Sequence, residues 1–294
     1  MKKPIIFFGT GRSGTTVISG IIMKHPEIAF PSQYQERFPK FSSLNYLRST
    51  LEKKFFSKRM PFLFGINFVK RIPFKPAECY NMWNYLSGPE IDFSRNFLIN
   101  VKSSEKRKVF IRKYFKTLVK KQYKERLAFK ITGPSRLSYL LDIFPDAFFI
   151  HITRNPIPTI SSFLNVSFWK NKRDTKLWWS GAYSDKELEW ADKNSHSPLM
   201  LTTFQIKKLI DTTNQEIKNN EFNYLKVSYE SFLKEPEKTI KEILDFTELS
   251  YDESVFSYLN SLEIRNKNKV DEDYFNKNDL RGINSILNSS DIDN

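Results

Sequence analysis

Residues 5–19, IIFFGTGRSGTTVIS, constrain the fold more than any other part of the chain. An apolar run ends at Gly9, glycines recur at Gly11 and Gly14, and apolar residues resume after Thr16. That order describes a buried strand, a glycine-rich turn and a helix, whose free amides and positive dipole end meet at the turn. Two templates fit the glycines. Gly9, Gly11 and Gly14 match G-x-G-x-x-G, and residues 9–16 also match a phosphate loop in which Thr15 replaces the lysine. A dinucleotide site needs an acidic residue at the end of the second strand to hold the ribose. The next strand candidate, IAFP, has Glu27 before it and Gln33 after it, so that chemistry is misplaced. Ser13, Thr15 and Thr16 instead crowd hydroxyls around the helix start and favour phosphate oxygens. A nucleoside triphosphatase would need the lysine that Thr15 replaces. Arg12 is the cation inside the loop, and a guanidinium suits planar oxyanion recognition without a metal.

Two further strand-to-helix units follow. In AFFIHITRNPIPTISSFLNV the apolar run ends at Thr153, and Asn155-Pro156 supplies an N-cap and a proline at the first helical position. In NYLKVSYESFLKEPEKTIKEILDFTEL a short strand runs through Val227, breaks, and gives way to a helix from about Pro236 to Phe246. Strands alternating with helices imply an α/β fold: a three-layer parallel sheet with helices on both faces and ligands at the strand C-terminal ends. All three turns would then face one crevice. We expect residues 1–294 to form one domain. Aromatic-rich insertions at about 40–125 and 165–220, holding Trp83, Trp169, Trp178, Trp179 and Trp190, are expected to cover the crevice, and a polar tail from about 265 to close on it.

The formal net charge of +14 calls for an anionic partner. Residues 102–126 hold eleven Lys or Arg against Glu105 and Glu125, and their apolar residues recur at helical spacing. This basic helix is either a solvated face or a contact for an acidic glycan or a membrane surface. It carries no recognised nucleic-acid motif, and nucleic acid is not an expected partner. Cys79 is the lone cysteine, so no intrachain disulfide forms, and a reducing cytoplasm is the simplest setting. The opening MKKPIIFFG has an apolar run too short for a signal-peptide core or a membrane span. No His, Cys and acidic spacing resembles a metal site.

Taken in order, these segments resemble the sulfotransferases that use 3′-phosphoadenosine 5′-phosphosulfate (PAPS). FGTGRSGTT resembles their 5′-phosphosulfate loop, and ITRNPIPTISS their 3′-phosphate segment. YESFLKEP resembles the Y-E-x-[FL]-x-x-x-P unit that follows, and FKITGPSR the lead-in of one bacterial group. The resemblance implies that Gly11, Arg12, Ser13, Gly14, Thr15 and Thr16 hold the 5′ end, Arg154 and Ser162 the 3′-phosphate, and Tyr229 the nucleotide. Relatives often place another basic residue one turn past the serine; Val166 stands there, leaving Lys170 or the tail residues Lys277, Arg281, Arg265 and Lys267 to substitute.

Sulfuryl transfer to a hydroxyl needs a base, in-line placement and cations for the charge growing on the leaving group. Glu36, in PSQYQERFP, stands where related enzymes put a carboxylate before R-F-P and is the expected base. Arg12 and Lys130 are the candidates for the bridging oxygen, and Arg37 and Arg136 for orienting the acceptor. His151, inside a strand, is expected to be a core residue. The expected acceptor is a hydroxyl on a carbohydrate, lipid or small molecule, with catalysis independent of metal. The tryptophan-rich stretch after Ser162 is a candidate acceptor wall, with core packing as its alternative. The rival functions are a P-loop kinase-like enzyme and a non-catalytic polyanion-binding protein.

Overall fold

The structure, a computed structural model, describes residues 2–44, 74–263 and 274–289. The first half contains β1 (Lys2–Gly9), α1 (Thr15–Ile22), β2 (Ile28–Ala29), α2 (Gln33–Arg37), α3 (Tyr80–Ser87), α4 (Glu105–Lys121), β3 (Arg126–Thr132) and α5 (Leu137–Ile143). Then come β4 (Phe148–Thr153), α6 (Pro156–Leu164), α7 (Asp185–Lys193), α8 (Pro198–Lys218), β5 (Asn223–Ser228), α9 (Tyr229–Lys234), α10 (Pro236–Phe246), α11 (Glu253–Asn260) and α12 (Lys277–Asn288).

The strands pair in the order β2-β3-β1-β4-β5, every pair parallel. Alternation along β1 explains its unbroken apolar run. Ile6 and Phe8 join one core with Trp83 of α3, Phe115 and Leu118 of α4, and Leu140 of α5. Ile5 and Phe7 join another with α1, α10 and α11. A strand buried on both faces cannot alternate apolar with polar, which is why the sequence reads as continuous. The three-layer parallel architecture is thus the one its strand and helix alternation implies.

The basic helix is α4: Ile111, Tyr114, Phe115, Leu118 and Val119 are buried, while Lys106, Lys113, Lys116 and Lys120 stay in solvent. Trp83 corrects an expectation. It is fully buried beside β3, stacked at 4.7 Å on Phe93, and does not cover the crevice. The other insertion does contribute a cover: Phe163 of α6 packs with Trp169, Trp179 and Ile206 of α8. The break after Val227 contains a short helix, α9, capped by Ser228 Oγ accepting from the Ser231 N–H at 3.0 Å. Among the described residues no helix is long and apolar enough to cross a membrane.

Because β1 lies between β3 and β4, crossovers leave it in both directions. The turns after β1, β4 and β5 therefore open side by side at the C-terminal edge of the sheet.

Candidate functional site

The turn after β1 contains three positive-φ residues, Gly11 at φ 82°, Arg12 at φ 55° and Gly14 at φ 87°. Gly14 caps α1 without a side chain, so the first amides of that helix have no side-chain acceptor. A Cβ at Gly14 would lie 2.2 Å from Tyr229 Cδ2, so only glycine lets the loop and the start of α9 touch. Ser13 is buried with its hydroxyl 3.0 Å from that of Thr15, and Thr16 faces outward.

The turn after β4 is built as its sequence dictates. Asn155 Oδ1 accepts from the Ile157 N–H at 3.0 Å and Pro156 occupies the first turn of α6. The two turns are joined directly. Arg12 Nε donates to Ser162 Oγ at 2.9 Å, and Arg154 Nη1 donates to the Arg12 carbonyl at 2.7 Å. The Arg154 guanidinium also lies 5.3 Å from the centre of the Tyr229 ring. Burial is the main cause lowering its pKa from the usual arginine value, with Tyr229 and Glu230 opposing. Arg12, Arg154, Ser162 and Tyr229 line one crevice of about 830 Å³ together with Gly11, Gly14, Thr15 and Thr16.

Glu36 and the aromatic wall border the same crevice. Glu36 lies in α2, whose first turn is fixed by Gln35 Oε1 accepting from the Ser32 N–H at 3.0 Å. Its Oε2 accepts from the Asn81 N–H at 3.1 Å. Burial raises the Glu36 pKa above the usual carboxylate value; the Asn81 bond opposes this and the charge of Glu78 adds to it. Lys130 is buried, donates to Thr16 Oγ1 at 2.6 Å and lies 3.6 Å from Glu78 Oε1. Glu78 is a crevice residue that sequence reasoning missed. Nor did Tyr80 stand out; its hydroxyl donates to the Thr132 carbonyl at 2.5 Å, at the end of β3. Trp169, Trp178, Trp179 and Phe168 line the wall opposite.

Several candidates lie elsewhere. Arg136, expected to orient an acceptor, is instead fully buried, and its guanidinium donates to the carbonyls of Asn96, Pro134 and Ser94. It stacks 4.7 Å from Phe93 and braces the interior, outside the crevice lining. Burial pulls its pKa down to about 10. Arg37 and Lys277 are exposed and are not among the lining residues. Lys170 is exposed as well, and Arg265 and Lys267 fall outside the described residues. His151 is buried in β4, stacked at 4.6 Å on Phe8 and 3.0 Å from Tyr224 Oη.

The sequence profile of the sulfotransferase family matches residues 4–253. The chain belongs to the sulfotransferase family. Among solved sulfotransferases, STF9 from Mycobacterium avium is similar at 15% identity with a TM-score of 0.58, over 97% of this chain and 75% of that one. STF1 from Mycobacterium tuberculosis H37Rv is similar at 15% identity with a TM-score of 0.53, over 98% of this chain and 77% of that one. At such identity the likeness is one of fold. No curated protein matches the sequence.

Proposed function

We propose that this sulfotransferase moves the sulfuryl group of PAPS to a hydroxyl acceptor, with Glu36 as general base. The observation that carries this reading is the pairing of two anion-ready turns across one crevice. Arg12 and the open amides of α1 lie at one turn, Arg154 at the other with Ser162 on the helix α6 that follows it, and hydrogen bonds at 2.7 and 2.9 Å tie them together. A nucleotide with phosphate at both its 5′ and 3′ ends needs such a two-ended cradle.

The residues fit that donor. Gly14 lets the phosphate loop press against Tyr229, and Arg154 brings a charge that Tyr229 and Glu230 steady. PAPS supplies an activated sulfuryl group on a leaving phosphate. Arg12 and Lys130 meet the charge that grows on that phosphate, Lys130 from a buried position already turned to Thr16. Glu36 takes the acceptor proton; its raised pKa keeps the carboxylate basic enough to receive it.

Calorimetric titration with adenosine 3′,5′-bisphosphate (PAP), with and without magnesium, tests the nucleotide assignment. Equal binding in both supports it, and magnesium-dependent ATP turnover without PAP binding would replace it with a kinase. Glu36→Gln is expected to keep PAP affinity and lose about 10²–10⁴-fold in transfer rate. The wild-type rate should climb with pH as Glu36 ionises, through a limb above the usual carboxylate range because burial raises this group. Unchanged turnover in the variant removes Glu36 as the base.

A further inference from the structure

Among the described residues lining the crevice, Arg12, Arg154 and Arg173 carry cations, and the transfer reading uses only the first two. Arg173 has an unusual setting. Its guanidinium carbon lies 3.6 Å from the centre of the Trp178 ring and 5.5 Å from that of Phe168. The platform beneath it is fixed. Buried Gln205 of α8 accepts from the Trp178 N–H at 2.6 Å and donates to the Arg173 carbonyl at 3.1 Å, holding both with one amide. Arg95 donates to the Trp178 carbonyl at 2.8 Å and lies 4.6 Å from the same ring.

Stacking fixes the plane of a guanidinium but engages none of its five N–H donors. Among the described residues no carboxylate pairs with Arg173, and the charged neighbour that acts on it is the like-charged Arg95, which lies against the same indole. A half-buried cation held in place, with its donors unmet and a second cation beside it, is arranged for an incoming anion. That anion is not the nucleotide's. Arg154 is bonded to the Arg12 carbonyl and lies over Tyr229, whereas Arg173 lies over Trp178 and Phe168 with Arg95 on the same indole, so the two cations have different neighbours in the crevice. Tyr80 opens α3, which packs on the helix that carries Glu36, and is tied to the end of the strand that carries Lys130.

We infer that Arg173, stacked on Trp178, binds an oxyanion on the acceptor, so that the substrate is an acidic molecule presenting its hydroxyl to Glu36 and its carboxylate or phosphate to Arg173. The inference rests on the transfer reading for the hydroxyl, while the anion site itself stands on the geometry of the platform.

Tryptophan fluorescence of the full chain, with and without PAP, would measure binding of three matched pairs. These are hydroxyphenylpropionate and hydroxydodecanoate, each with its methyl ester, and glycerol phosphate with glycerol. In at least one pair the acid should bind about tenfold or more tightly than its neutral mate, the range of a hydrogen bond to a charged group. Arg173→Gln should erase that preference and leave PAP affinity unchanged. Arg173→Lys, keeping the charge without the planar fork, should retain part of it. The proposal is overturned if no pair prefers the acid, if the preference survives in Arg173→Gln, or if that variant loses PAP affinity tenfold and so belongs to the nucleotide end. Failure of the wild type to bind PAP would sink the transfer reading instead, and the acid-to-neutral ratio measured without PAP would still decide Arg173.

Discussion

The same substitution made at two glycines six residues apart should act with opposite sign. At Gly14 the backbone is left-handed, which costs a residue bearing a Cβ about 1–2 kcal/mol. The added carbon would also lie 2.2 Å from Tyr229 Cδ2 and 2.6 Å from Cε2, well inside the carbon contact distance of about 3.5–4.0 Å. Tyr229 is only 7% exposed, so its ring cannot swing aside freely, and overpacking adds about 1–3 kcal/mol. Gly14→Ala is therefore expected to destabilise by roughly 2–5 kcal/mol. At Gly20, inside α1, a Cβ meets nothing within 4 Å, and exchanging glycine for alanine in a helix stabilises by about 0.5–1 kcal/mol. With a scale near 2–4 °C per kcal/mol, Gly14→Ala should lower Tm by roughly 4–20 °C and Gly20→Ala raise it by about 1–4 °C. Scanning calorimetry with urea titration at fixed pH measures both. Displacing Tyr229 also removes the ring beside Arg154, so PAP binding should weaken in Gly14→Ala and hold in Gly20→Ala. A Gly14→Ala protein within 0.5 kcal/mol of wild type, or equal losses at both sites, would refute this account of the loop.

Two further outcomes test the interior. Arg136→Ala leaves three carbonyls, that of Pro134 buried, without their donor and empties a fully buried site; it should cost about 3–5 kcal/mol in urea unfolding, while the acceptor preference of the folded fraction stays that of wild type. His151 is held neutral, its pKa pulled by burial to about 4 from an ordinary 6.5, with Lys226 adding to the fall. The unfolded chain therefore binds the extra proton first, and stability should be intact above pH 6.5 and drop by about 3 kcal/mol as pH falls toward 4. His151→Gln should flatten that slope in urea titrations run across the same range.

What the sequence displayed and what it hid divide along physical lines. Local chemistry was legible: the glycine turn, the Asn155-Pro156 cap and the helix from Pro236 to Phe246 each follow from a few adjacent residues. Their convergence was legible too, because parallel strands place such turns at one edge. Burial was not. Arg136 is an acceptor candidate and Arg173 sits in the tryptophan-rich stretch read as an acceptor wall, but nothing in their neighbours' letters says that Arg136 points into carbonyls while Arg173 rests on a half-buried indole. Glu78 and Tyr80 belong to no motif and reach the crevice only because α3 packs against α2. Composition groups Trp83 with the crevice tryptophans, and only the sheet's second face reveals it as core.

Arg12 uses its carbonyl to hold one neighbour and its side chain to hold another, a division its left-handed backbone makes geometrically convenient. Two loops separated by more than a hundred residues are thereby fastened before any guest arrives. Association then needs little ordering of the host, and the entropy that a floppy pocket would forfeit on capture has already been surrendered during folding.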